Sequence, residues 1–190
     1  VVLGQPMSGV RRHNAELLPR VASLLEDSGG GLSVVEGADP IMFALPSSVN
    51  RVKTRVPSGP VWKRAVFEGN SIRRVLSRPE GYFDLVHFGH LPVPMSLPIP
   101  FTLTVHDMRS IEEAHTSRLS RAVAHGVHRS AVERAACVIT VSDTIAADVI
   151  RYFDIEPARI RVVANAADHV EVLPRDVRQD APILHVGHVE

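Results

Sequence analysis

The chain has 190 residues, which is enough for one globular domain, or for one domain with a short piece of another. Of these residues 45% are hydrophobic and 22% are charged, a composition that excludes a disordered or low-complexity chain. Its 21 basic and 21 acidic residues give a formal net charge of zero, which argues against a nucleic-acid binder that relies on the charge of the whole chain. The one cysteine, Cys137, excludes an intramolecular disulfide and indicates a reducing compartment, the cytoplasm. The sequence contains no run of about 18 apolar residues that could cross a membrane.

Short apolar runs alternate with helical patterns along the chain. Strands are predicted at residues 1–4, 32–36, 41–45, 83–88, 101–105, 137–141 and 160–164. Helical spacing of apolar residues covers 10–25, 61–76, 117–136 and 144–153. Pro19 lies inside the first helical pattern and should kink it, and residues 27–31 mark its end. Prolines at 46–60 and 92–100 predict loops.

Several of the predicted strands are continuously apolar, most clearly Cys-Val-Ile-Thr-Val at 137–141. Such strands are buried on both faces, which is typical of a parallel sheet flanked by helices, so the sequence predicts an α/β fold. Ligands of such sheets bind beyond the carboxyl ends of the strands. The candidate site residues are therefore those that follow a strand. They are Met7, Ser8, Gly9, His87, Gly89, His90, His106, Asp107, Ser142, Asp143 and Asn165.

Two of these junctions suggest specific chemistry. Gly9 permits a tight turn before a helix whose free N–H groups suit a phosphate, and an ordinary strand–helix turn is the alternative explanation. His106 follows a strand and carries an imidazole that can donate, accept or transfer a proton near neutral pH. The alternative is a histidine that caps the strand and bonds to the backbone. Cys137 opens a buried strand and is expected to pack as a small hydrophobic residue.

The ten histidines raise the question of a metal site. Three pairs have the spacing His-x-x-His: His87/His90, His125/His128 and His185/His188. Only the second pair lies on a predicted helix, where residues at this spacing share a face. No cysteine or glutamate completes a set with the spacing of a zinc site, so we expect no metal.

The predicted helix 117–136 carries basic residues along one side. They are Arg118, Arg121, His125, His128 and Arg129, while Leu119, Ala122, Val123, Val127 and Val132 lie largely on the other side. Such a basic stripe can hold phosphates or an anionic membrane surface. It is also the ordinary composition of a solvated helix face, and the sequence leaves both explanations open.

The order of several segments resembles a known family. The run Phe83-Asp84-Leu85-Val86-His87-Phe88, the proline-rich loop after it and Thr104-Val105-His106-Asp107 resemble the amino-terminal half of the retaining glycosyltransferases of group 1, or family 4. The later run 137–142, then Asp148, Tyr152 and 155–165, follows the order and spacing of that family. Three departures stand out. His185 and His188 replace residues that are more often aromatic and Arg in the family. Ser8 occupies a position that is usually glycine in the family, and Ala164-Asn165-Ala166 replaces a frequent Pro-Asn-Gly.

The resemblance implies a GT-B fold, in which two Rossmann-like domains face each other across a cleft. Residues 1–173 would form the amino-terminal, acceptor-side domain, and 174–182 would be a linker. Residues 183–190 would be the first strand of a carboxyl-terminal domain that binds the donor. Because the sequence opens without methionine and closes on that strand, we expect a fragment that is inactive by itself.

The implied activity is transfer of a hexose from a nucleotide sugar, a substrate and not a cofactor, to a glycan, a lipid-linked molecule or a small molecule. The resemblance implies no metal, no other cofactor and no nucleic acid, and the required partner is the carboxyl-terminal domain. The expected location is the cytoplasm, with peripheral contact to the inner face of the membrane through Arg118, Arg121 and Arg129.

The resemblance also assigns site residues. His106 would be the catalytic residue beside the transferred sugar, and Ser8 and Gly9 would face the phosphates of the donor. The remaining candidates would line the acceptor side or the cleft. They are His87, His90, Asp107, Ser142 and Asn165.

Two other functions remain open at this point. A different enzyme of the same fold, such as a nucleotide-sugar epimerase, would place its own acid and base groups at these strand ends. The third possibility is a non-catalytic binding module or a split subunit. The reading frame after Glu190 would distinguish them. A further domain of about 150–200 residues with two glutamates near its cleft favours the transferase, and a stop codon favours the binding module.

Overall fold

The computed structural model describes residues 9–56, 61–77, 82–91, 93–108 and 118–167, and at 61–67, 118–121 and 124 it describes the backbone only. In chain order these residues form α1 (Gly9–Asp27), β1 (Ser33–Glu36), β2 (Asn50–Lys53), α2 (Val61–Leu76), β3 (Val86–Phe88), β4 (Phe101–Val105), α3 (Arg118–Arg134), β5 (Cys137–Thr140), α4 (Asp143–Phe153), a 3₁₀ turn (Pro157–Arg159) and β6 (Ile160–Val162). The strand predicted at 1–4, the expected linker at 174–182 and the strand at 183–190 lie outside the described residues.

The strands form two parallel sheets. β1 pairs with β2, and β3, β4, β5 and β6 lie side by side in that order. Parallel neighbours need a crossover connection, and α3 follows β4 while α4 follows β5 to supply it. The predicted α/β class with parallel strands is therefore confirmed.

Two hydrophobic cores hold these layers together. The larger core joins the four-stranded sheet to α3 and α4, and its most buried members include Leu103, Val132, Val138 and Phe153. Burying one such side chain contributes about 1.5–3 kcal/mol relative to leaving it in water. The smaller core packs Ala22 of α1 against β1 and the loop that follows it. Helix α1 therefore anchors the two-stranded sheet.

Local interactions explain where helix α4 begins and where helix α1 ends. The hydroxyl of Ser142 accepts a hydrogen bond from the backbone N–H of Ile145, which caps the start of α4. Helix α1 runs through Pro19 and ends at Asp27. Gly29 then takes a positive φ of 75°, which glycine adopts without strain, so the chain can turn toward β1.

The predictions of a strand at 41–45 and of an uninterrupted loop at 46–60 were wrong. Residues 41–45 are not a strand, because Ile41 and its neighbours pack into the smaller core from an irregular segment. The predicted loop at 46–60 instead contains β2, which pairs with β1 along its whole length. Only Val52 of β2 is buried, so its sequence, Asn-Arg-Val-Lys, carries almost no apolar pattern. Pairing with β1, and not hydrophobic periodicity, makes this segment a strand.

Helix α3 does not divide into the predicted basic and apolar sides. His128 is buried at 8% exposure, whereas Val123 is 59% exposed. The ring of His125 contacts the ring of Phe153 of α4 at 5.6 Å between centroids. Positions 125, 128 and 132 share one helix face, so the inward stripe of α3 passes through the two histidines. No helix in the described part of the chain is long and apolar enough to cross a membrane.

Candidate active site

Strand β4 separates an apolar face from a polar face, because successive side chains of a strand point to opposite sides. Phe101, Leu103 and Val105 are 3%, 0% and 2% exposed and belong to the larger core. Thr102 and Thr104 alternate with them and occupy the opposite face. The carboxyl end of β4 therefore presents hydroxyl groups on one side of the sheet.

His87 of β3 spans both of these hydroxyl groups. It lies opposite Thr102 in the parallel register. Its Nδ1 is 2.8 Å from Oγ1 of Thr102, and its Nε2 is 3.3 Å from Oγ1 of Thr104. Although part of the side chain remains exposed, desolvation of the ring lowers the pKa of His87, and the nearby His13 and His106 lower it further. His87 is therefore a neutral imidazole near pH 7.

His106 comes directly after β4, two residues beyond Thr104, and is half-buried. Its Nε2 is fully enclosed and has no hydrogen-bond partner among the described residues. Burial lowers the pKa of His106, and His13 adds to that effect. A hydrogen bond to the backbone of Gly89 and the charge of Asp107 raise the same pKa, and the net direction is down.

The first turns of α1 close this side of the sheet. The ring of His13 meets the ring of His106 edge to face, with centroids 4.9 Å apart and an interplanar angle of 82°. Asn14 donates to the carbonyl of Val10 at 2.7 Å, which fixes its side chain along the helix. A Cβ on Gly89 would lie 3.5 Å from Oδ1 of Asn14, so the loop after β3 approaches the helix closely.

A cavity of about 130 Å³ opens at the meeting point of α1 with the ends of β3 and β4. It is lined by Val10, His90, Leu91, Thr104, Val105, His106 and Asp107. Sites that enclose a drug-sized ligand occupy about 300–1,000 Å³, so this cavity has room for part of a sugar and not for a whole nucleotide sugar. It brings three predicted site residues together, namely His90, His106 and Asp107.

Two further predicted site residues lie at helix starts. Gly9 is the first residue of α1, is exposed, and has no atom within 4 Å of the position where a Cβ would lie. Ser142, expected at the cleft edge, is engaged as the cap of α4. Asn165 is exposed in the segment after β6. Ser8 lies outside the described residues.

The proposed basic patch is described only in part. Arg129 is exposed and its Nε donates to Oε1 of Glu133 at 2.7 Å, one helical turn away. The side chains of Arg118 and Arg121 lie outside the described residues. Among the described residues, no group of three or more His, Cys, Asp or Glu side chains is placed to hold a metal ion.

Three residues that build this site were not predicted from the sequence, namely His13, Thr102 and Thr104. The two threonines could have been predicted from the sequence, since the pattern Thr-x-Thr-x-His at 102–106 places three polar side chains on one face of a strand. His13 carries no such signal. Its contact with His106 depends on how α1 packs on the sheet, which local sequence does not encode.

The fold and this site together define a Rossmann-like α/β domain with polar groups gathered at the carboxyl ends of its parallel strands. The family model described as Glycosyltransferase Family 4 matches residues 8–171. The chain therefore belongs to glycosyltransferase family 4, and the predicted amino-terminal GT-B half domain is confirmed. No curated protein matches the chain.

Proposed function

We propose that this domain is the acceptor-side half of a retaining hexosyltransferase that uses a nucleotide sugar as its donor. One observation carries the proposal: His106 stands at the end of a central strand, lines a cavity of about 130 Å³, and has an Nε2 with no hydrogen-bond partner among the described residues. Buried polar atoms nearly always have a partner, so the orphaned Nε2 of a residue that lines a cavity supports a role in bonding to a ligand hydroxyl. The family match supports a transferase over an epimerase.

The electrostatics of His106 suit glycosyl transfer. Positive charge develops on the anomeric carbon in an oxocarbenium-like transition state, and a cation beside it would be repelled. The lowered pKa keeps His106 neutral near pH 7, so it can bond to a sugar hydroxyl without adding charge. His106 therefore orients the sugar and does not attack it.

The small cavity also fits a division of labour between two domains. The nucleotide and the diphosphate need positive groups and far more room than about 130 Å³. In this proposal a carboxyl-terminal domain holds them, and this domain presents the acceptor, a glycan, a lipid-linked molecule or a small molecule. The proposal includes no metal and no organic cofactor, so turnover should survive a chelator.

The test is release of free nucleotide from a panel of UDP-, GDP- and ADP-hexoses. Residues 1–190 should release none, and a protein that also contains the carboxyl-terminal domain should release it in an acceptor-dependent reaction. Turnover by residues 1–190 alone would overturn the division into two halves. Interconversion of the hexoses without release of nucleotide would favour an epimerase.

A further inference from the structure

The backbone of the sheet does not by itself orient the ring of His106. The ladder between β4 and β5 ends at the pair Val105–Thr140, one residue before His106. The orientation of the imidazole must therefore come from side-chain and loop contacts beyond the strand. The structure supplies two such contacts, one with the loop after β3 and one with α1.

The loop contact fixes the tautomer of His106. The hydrogen bond between His106 and the backbone of Gly89 raises the pKa of the ring, so the backbone group is an acceptor, the carbonyl oxygen. Because Nε2 has no partner, Nδ1 is the nitrogen that donates. In the neutral ring, Nε2 then carries the lone pair and can only accept.

The helix contact is the edge-to-face pair with His13, whose centroids are 4.9 Å apart. Aromatic pairs favour this geometry, and it leaves the His106 ring little freedom to rotate. Asn14, the next residue, lies against Gly89. Helix α1 is thereby held against both the ring of His106 and the loop whose carbonyl that ring contacts.

The nearest histidine acts on His106 in the same direction as burial, and Asp107 acts in the opposite direction. His13 faces it from α1, His87 is coupled to both rings from β3, and His90 lines the same cavity. Asp107, the exposed neighbour of His106, is the group of opposite charge. A proton on His13 or on His106 disfavours a proton on His87, and a proton on His13 disfavours a proton on His106.

We propose that His13 is a positioning residue for His106: its ring, packed edge-on, holds the His106 imidazole in one orientation and keeps it neutral, so that Nε2 remains a hydrogen-bond acceptor for a sugar hydroxyl. The role of the acceptor rests on the proposed function, whereas the orientation and the neutrality do not. They are properties of the protein without substrate and can be measured without turnover.

The test is histidine ring NMR of the 190-residue chain without ligand, with the His106 signals assigned by the variant His106→Gln. In the unmodified chain, ¹⁵N shifts should show a single Nδ1–H tautomer, and the titration midpoint should lie below about 6.5. His13→Gln should raise that midpoint and mix the tautomers. His13→Phe keeps an aromatic ring and should restore the single tautomer. His125→Gln is the matched control. His125 lies on α3 against Phe153 of α4, so this change should alter neither the titration midpoint nor the tautomer of His106.

The outcomes separate this proposal from the proposed function. An unchanged midpoint and tautomer in a folded His13→Gln variant would overturn the role of His13. If that variant fails to fold, the titration midpoint of His106 in the unmodified chain is the test. A midpoint at or above the ordinary histidine value would contradict the proposal directly. In a transferase assay, His13→Gln should also move the acidic limb of kcat/KM to higher pH. An NMR result as expected with no transferase activity would overturn the function alone.

Discussion

Nδ1 of His87 lies 2.8 Å from Oγ1 of Thr102, and the remaining ring nitrogen of His87 faces Thr104. Both nitrogens are therefore engaged by the neighbouring strand. His106, two residues beyond Thr104, instead lines the cavity, and its enclosed Nε2 has no partner among the described residues. The two histidines thus differ: both nitrogens of His87 join β3 to β4, whereas one nitrogen of His106 is not used by the described part of the fold.

Replacing His87 should lower stability and leave the chemistry nearly intact. A neutral hydrogen bond contributes about 0.5–1.5 kcal/mol net, so His87→Ala should reduce the free energy of unfolding by about 1–3 kcal/mol. Urea denaturation measures this loss. A double-mutant cycle with Thr102→Val should show a coupling energy, and strictly additive effects would contradict the bridge.

Arg159 should be the more important of two neighbouring arginines for stability. Its Nη2 donates to the backbone oxygens of Glu133, at 2.8 Å, and of Ala135, at the carboxyl end of α3. Hydrogen bonds that involve a charged group contribute about 1.5–3 kcal/mol, and a cation at this helix end is favourable. Arg159→Met should therefore lower the free energy of unfolding by about 2 kcal/mol. Arg161→Met is the control, since among the described residues Arg161 bonds to the carbonyls of Ala158 and Ile160 beside it. Equal losses in both variants would contradict the account.

The ion pair between β1 and β2 gives a third prediction. The carboxylate of Glu36 is 2% exposed and bonds to Nε of Arg51, which raises the pKa of the guanidinium. Arg51→Met would leave that carboxylate buried without its partner, so the urea midpoint should fall. Lys53→Met, at the exposed position opposite Glu36 in the register, should change the midpoint little. Adding Glu36→Leu to Arg51→Met should recover part of the loss, and no recovery would contradict the assignment.

The lowered pKa values of His87 and His106 set the pH dependence of stability. Between the ordinary histidine value of about 6.5 and the lower native values, the unfolded chain binds more protons than the folded one. The stabilisation is therefore complete above about pH 6.5 and is lost as pH falls through the native values. Thermal unfolding between pH 8 and pH 5 should show Tm falling on the acidic side. His106→Phe should flatten that fall, and a slope identical to that of the unmodified protein would contradict this assignment.

The sequence predicts the central strands and helices well where the spacing of apolar residues fits only one type of secondary structure. The strand expected at 137–141 is β5, Cys137–Thr140, and the helix expected at 144–153 is α4, Asp143–Phe153. Strand β2 was not predicted, because this polar segment becomes a strand only by pairing with β1. The same limit applies to the site. The place of His106 after a strand is visible in the sequence, but its contact with His13 exists only once α1 has packed on the sheet.

The most direct test of the central claim is the turnover of His106→Ala, measured with the thermal stability of the same variant. The protein assayed contains this domain and its carboxyl-terminal partner, and the readout is nucleotide released per folded molecule from a nucleotide hexose. Loss of one such transition-state contact typically costs about 10²–10³ in rate, so turnover per folded molecule should fall by that factor, beyond any fall in Tm from the lost contacts with His13 and Gly89. A fall in Tm with unchanged turnover per folded molecule would show that His106 is a structural residue and would contradict the account.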